Sequence, residues 1–152
     1  MSNPSAVTIL LAEDDAGHAS LIQRNLKRGG FVNEIIHAND GQEALDYLRS
    51  QGQFAGRQPN GPLLLILDIK MPRVDGTEVL KAVKSDPATA KIPVIMLTTT
   101  DDPREIERCY ELGCNVYITK PVAYDKFVEA LQSVGLFLQV VTVLREDEAR
   151  RG

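Results

Sequence analysis

Leu63-Leu64-Leu65-Ile66-Leu67-Asp68-Ile69-Lys70-Met71-Pro72-Arg73-Val74-Asp75-Gly76 is the stretch on which the reading of this chain turns. Residues 63–67 are all apolar, and turn-forming residues follow them. Such a solid block reads as a strand buried on both faces, the habit of parallel sheets, rather than as an alternating strand with one wet side. Asp68 then stands at the carboxyl end of that strand. A carboxylate there is unfavourable unless something pairs with it, and in open α/β sheets this edge is where ligands bind. Asp68 is therefore either an isolated accident or the centre of a site.

Working outward, four more apolar runs take the same form: Val7–Leu11, Glu34–Ile36, Pro93–Leu97 and Val116–Ile118. Helix-like stretches alternate with them. The first carries Leu21, Ile22 and Leu26 and closes at Gly29-Gly30. Asn39-Asp40-Gly41 opens the second, with Ala44, Leu45 and Leu48 on one face. Thr77 is expected to cap the third, which runs through Val79, Leu80 and Val83 and stops at Asp86-Pro87. Asp101 or Asp102 caps the fourth, with Pro103 in its first turn and Gly113 at its end. The last begins near Ala123 and carries Phe127, Leu131 and Val134. A polar loop at 50–62 is long for a compact α/β domain. Five βα units in series predict an α/β fold: a doubly wound parallel sheet with helices on both faces.

The bulk composition narrows the function classes. A length of 152 residues suits one domain. A net charge of −4 argues against a nucleic-acid partner, which needs a basic face. No apolar run approaches the roughly 18 residues of a membrane span, and Met1–Ser5 lacks a secretory pattern. Cys109 and Cys114, without histidines nearby in sequence, read as small half-buried residues in a reducing cytoplasm.

Chemistry collects at the strand ends. Glu13 and Asp14 follow the first strand, Asp68 the third, Thr98-Thr99-Thr100 the fourth, and Thr119-Lys120-Pro121 the fifth. Parallel strands bring all of these to one edge. Three carboxylates at close range repel, so either a pKa rises or a hard divalent cation binds, and oxygen-only ligands suit Mg2+. With the cation present, Asp68 stays ionised, a nucleophile of the kind that forms aspartyl phosphates. Lys120 and a threonine hydroxyl would stabilise the charge on phosphoryl oxygens.

The Ile9–Asp15 opening, the Asp68-x-x-Met-Pro-x-x-Asp-Gly segment, Thr98 after the fourth strand and the Lys120-Pro121 pair together resemble the CheY-like receiver domain of two-component response regulators. The resemblance covers roughly residues 6–135. It implies a flavodoxin-like (βα)5 fold of strand order 2-1-3-4-5 and phosphoryl transfer from a sensor histidine kinase to Asp68. By position, Asp14 matches a direct Mg2+ ligand, Glu13 a ligand acting through water, and the Lys70 backbone carbonyl the third protein ligand. Thr98 matches the switch hydroxyl, Tyr117 the switch aromatic and Lys120 the phosphate-binding lysine, whose bond to Pro121 is usually cis in the family. The residue two positions after Asp68 is Lys70, where aspartyl-nucleophile phosphohydrolases commonly carry an acid; this counts against a dedicated hydrolase. The intact acidic, lysine and threonine set counts against a phosphate-free scaffold.

Four further expectations complete the reading. The chain is expected to be a stand-alone, cytoplasmic regulator, since residues 136–152 hold only an apolar run, Leu136–Leu144, and a charged tail. That run exceeds what one helix end hides and is expected to form a homodimer contact. The tail and the 50–62 loop resemble regulators paired with bacterial and cyanobacterial phytochrome kinases. His18 and His37 are expected to be solvated or locally bonded, with a kinase contact open to His18.

Overall fold

The computed structural model describes residues 7–28, 33–57 and 61–120, with 125, 126 and 129. Its elements are β1 (Thr8–Ala12), α1 (Ala16–Arg28), β2 (Ile35–Ala38), α2 (Gly41–Arg49), a short 3-10 turn (Gly52–Phe54), β3 (Leu63–Leu67), α3 (Gly76–Ser85), β4 (Val94–Thr98), α4 (Pro103–Leu112) and β5 (Val116–Thr119). The five strands pair in parallel in the order β2-β1-β3-β4-β5. This is the expected flavodoxin-like order.

Alternation along each strand explains why both faces are covered. Leu10, Ala12, Leu65, Leu67, Val94 and Met96 join residues of α2, α3 and α4 in one buried cluster. Their neighbours Ile9, Leu11, Leu64, Ile66, Ile95 and Leu97 join Ala19, Ile22 and Leu26 of α1 in the other. Leu64 to Leu67 have no solvent exposure at all. Each such side chain contributes about 1.5–3 kcal/mol on burial, so the solid apolar block is where the sheet gains its stability. The chain leaves β1 to one side for β2 and returns on the other for β3. The crevice between the carboxyl ends of β1 and β3 is thus the topological switch point, the ligand address of open α/β sheets.

Several local expectations change. Asp75, not Thr77, caps α3: its Oδ1 accepts from Glu78 N at 2.9 Å, and the Thr77 hydroxyl donates to the same oxygen at 2.7 Å. The carboxylate occupies the capping position just before the helix, while Thr77 already lies in its first turn. Asp102 rather than Asp101 caps α4, accepting from Arg104 N at 3.0 Å. Leu21 faces outward, 47% exposed, because the inward face of α1 runs through Ala19, Ile22 and Leu26. Within the 50–62 loop, Gly52–Phe54 form the 3-10 turn. Phe54 meets the Tyr47 ring edge-on at 5.1 Å, and the Arg57 guanidinium lies 4.0 Å above it. Gly29-Gly30, Pro121, the residues Ala123, Phe127, Leu131 and Val134 expected in a last helix, and the whole 136–152 extension lie outside the described residues.

Candidate functional site

The backbone ladders carry on past the strand ends and set the site. Asp68 N donates to the Ala12 carbonyl at 3.1 Å, Glu13 N to Ala38 O at 3.1 Å, and Lys120 N to Thr98 O at 2.8 Å. Residues from β1, β3, β4 and β5 therefore arrive at one edge by register. Glu13, Asp14 and Asp68 each offer a carboxylate oxygen within 4.8 Å of the others. Glu13 and Asp68 are buried and Asp14 is exposed. Asp68 Oδ1 accepts from Ile69 N at 2.7 Å, and Oδ2 accepts from Lys120 Nζ at 3.2 Å. Lys120 Nζ also donates to Glu13 Oε1, forming a second, tight ion pair.

The two buried carboxylates are driven apart electrostatically. Burial disfavours an ionised Asp68, but the hydrogen bond from the Thr98 hydroxyl and the Lys120 charge outweigh it, holding this carboxyl below the ordinary range. Burial pushes Glu13 upward, and the neighbouring Asp68 charge adds to that, against the Lys120 hydrogen bond. Asp68 is thus the member kept ionised, while burial and the Asp68 charge oppose ionisation of Glu13 despite its ion pair with Lys120. An oxygen-only set with a surplus of negative charge fits a hard divalent cation, which Glu13, Asp14 and Asp68 could hold.

The loop behind Asp68 is shaped by close approach. Gly76 N donates to Ile69 O at 2.7 Å, folding residues 69–76 back on themselves. At Gly41 the first turn of α2 meets the same loop, since a Cβ there would lie 1.9 Å from Val74 O. Arg73, at φ +65°, reaches Asp40 Oδ2 with Nη2 at 2.6 Å and Nε at 3.0 Å. Lys70 lies in this loop with its side chain exposed.

Of the three threonines, Thr98 is buried and bonded to Asp68, Thr99 is exposed, and Thr100 offers its carbonyl to the Tyr117 hydroxyl at 2.6 Å. Burial, with the Cys109 and Glu105 charges adding, pushes the Tyr117 phenol up to about 12. Tyr117 therefore serves this loop as a hydroxyl donor. Cys109 and Cys114 are buried free thiols, pushed up to about 11 and about 12 by burial, and take no part in the site.

Both histidines prove to be bound to partners distant in sequence. His37 Nε2 donates to the Glu13 carbonyl at 2.7 Å, and His18 Nδ1 lies 3.2 Å from Lys120 Nζ. His37 is the penultimate residue of β2 and Asp40 follows that strand, so the carboxyl end of β2 is the sequence signal for both. His18 carries no comparable signal, because its partner is 102 residues away.

The sequence and the fold are similar to those of known proteins. A family model described as the response regulator receiver domain matches residues 9–132. Response regulator Rcp1 of Synechocystis sp. is 36% identical over 144 residues, 93% of this chain and 95% of Rcp1. The solved structure of the bacteriophytochrome response regulator AtBRR is similar with a TM-score of 0.80 at 40% identity, over 87% of this chain and 94% of that one. The Mn2+-bound form of Rcp1 is similar with a TM-score of 0.71 at 34% identity, over 89% and 96%. Sheet order, the acidic crevice and a match over most of the sequence agree: this chain belongs to the response regulator receiver domain family, a response regulator of phosphorylation-based signalling.

Proposed function

We propose that Asp68 accepts a phosphoryl group from the phosphohistidine of a sensor histidine kinase. A carboxylate oxygen of Asp68 forms the new P–O bond while the P–N bond breaks. The departing imidazole keeps the electron pair and takes a proton. The observation that carries this reading is an Asp68 held ionised in a buried crevice by Thr98 and Lys120. Lys120 and the Thr98 hydroxyl meet the phosphoryl oxygens and offset their charge. Mg2+, held by Glu13, Asp14, Asp68 and the Lys70 carbonyl, supplies further charge neutralisation when bound. With Mg2+ bound, the same residues would give self-phosphorylation from small phosphodonors and autodephosphorylation. The phosphoryl oxygens take over the Thr98 hydroxyl that Asp68 already holds, and Tyr117 changes position with it.

The kinase in this proposal is of the phytochrome class and the location is cytoplasmic. Two facts support this: the similarity to AtBRR and Rcp1, and the absence, among the described residues, of any helix long and apolar enough to cross a membrane. A homodimer contact through residues 136–144 belongs to the same proposal.

Acetyl phosphate with Mg2+ is expected to retard the protein on a phosphate-affinity gel, and Asp68→Asn to abolish the retardation. An unretarded wild type, or a retarded mutant, refutes the phosphoacceptor reading. In a second arm, a phytochrome kinase is expected to pass label to the wild type. Transfer from other histidine kinases alone refutes the phytochrome link.

A further inference from the structure

An ammonium has three N–H donors and no acceptor. Those of Lys120 face three acceptors: Glu13 Oε1, Asp68 Oδ2 at 3.2 Å, and His18 Nδ1 at 3.2 Å. His18 must accept here, so its ring proton lies on Nε2, 3.9 Å from Asp15 Oδ2. The backbone that carries the imidazole is fixed as well. Asp15 caps α1, its Oδ1 accepting from His18 N at 3.0 Å and its carbonyl from Ala19 N at 2.9 Å. The His18 side chain is 46% exposed against 8% for Lys120, so the ring lies between the ammonium and water.

A cation in the acidic crevice would draw the Glu13 and Asp68 oxygens toward itself and weaken their hold on Lys120. His18 Nδ1 would not be drawn away. A lysine has a long, many-rotamer side chain, and without a fixed acceptor its ammonium loses its bearing on Asp68. We propose that His18 is a positioning residue for Lys120, keeping the ammonium aimed at Asp68 while the metal occupies the carboxylates. This inference rests on the phosphoacceptor reading of Asp68.

The test compares His18→Ala, His18→Asn and His18→Gln in the full chain. Phosphorylation by acetyl phosphate is expected to slow by about tenfold in His18→Ala, with Mg2+ affinity by calorimetry unchanged. His18→Asn, whose Oδ1 stands where Nδ1 stood, restores the rate; His18→Gln, whose amide reaches the Nε2 position, does not. In a Lys120→Ala background, His18→Ala has no further effect. As a readout independent of phosphorylation, amine acylation followed by mass spectrometry is expected to modify Lys120 several-fold faster in His18→Ala. An unchanged rate, equal rescue by Gln, a persistent effect without Lys120, or unchanged acylation overturns the proposal. A wild type that takes no phosphoryl group while acylation still responds refutes the phosphoacceptor reading and leaves the His18–Lys120 contact standing.

Discussion

A Cβ on Gly76 would lie 1.9 Å from the Asp68 carbonyl oxygen and 2.8 Å from Ile69 Cα. Both are backbone atoms, so no side chain can swing aside. Glycine is required there because the loop after β3 doubles back onto its own start, where Gly76 N donates to Ile69 O. Gly76→Ala is expected to destabilise the protein by about 1–3 kcal/mol and to slow phosphorylation of Asp68 by shifting the loop behind it. Urea unfolding of the two proteins measures the first effect. A mutant within about 0.5 kcal/mol of wild type would mean that the loop relaxes freely.

At the scale of elements, Asp40 serves two of them at once. Its Oδ1 caps α2 by accepting from Glu43 N at 2.8 Å, and its Oδ2 takes the Arg73 guanidinium of the β3–α3 loop. Burial opposes its ionisation, but the Glu43 backbone bond and Arg73 outweigh it, so its folded pKa lies below the ordinary 3.8. A carboxyl depressed on folding contributes stability that is fully present above its unfolded value and is lost as pH falls through the folded value. Asp40→Asn keeps the cap, since asparagine caps as well as aspartate, and removes the charge opposite Arg73. It is expected to cost about 1 kcal/mol at pH 7, modest because Arg73 is 59% exposed. The gap to wild type should close on acidification below about pH 4. Denaturant midpoints across that range measure it; a gap that persists undiminished in acid would mean the ion pair contributes nothing.

At the scale of the whole molecule, one edge of the sheet carries the chemistry, while the sequence carries a second apolar surplus at Leu136–Leu144. A run of that kind needs cover, and a second copy of the chain is the cover proposed. The full chain is expected to elute from a sizing column as a dimer at micromolar concentration, and a chain ending at Val134 as a monomer with the same far-ultraviolet circular dichroism. A monomeric full chain, or a dimer that survives truncation, refutes the contact.

What was legible beforehand follows from the range of each interaction. The block Leu63–Leu67 announced a parallel strand because burial on both faces removes every polar residue from it, a property of consecutive positions. Asp68, Asp14, Lys120 and the threonine run were visible as candidates because strand ends share an edge once the strands are parallel. The caps were half legible. Asp75 and Thr77 are both good capping residues, and only the fold shows where the first turn begins. The strand order 2-1-3-4-5 came from family resemblance, since the β1–β3 pairing joins strands that are not consecutive. The contacts of His18 with Lys120, His37 with Glu13 and Arg73 with Asp40 were decided by tertiary structure alone. Each joins residues 24 or more positions apart, and a single long-range pair leaves no period or spacing in the chain. The sequence by itself therefore determined the elements and the chemical content of the edge. The folded chain decided which donor faces which acceptor there, because that depends on distances set only when all five strands are in register.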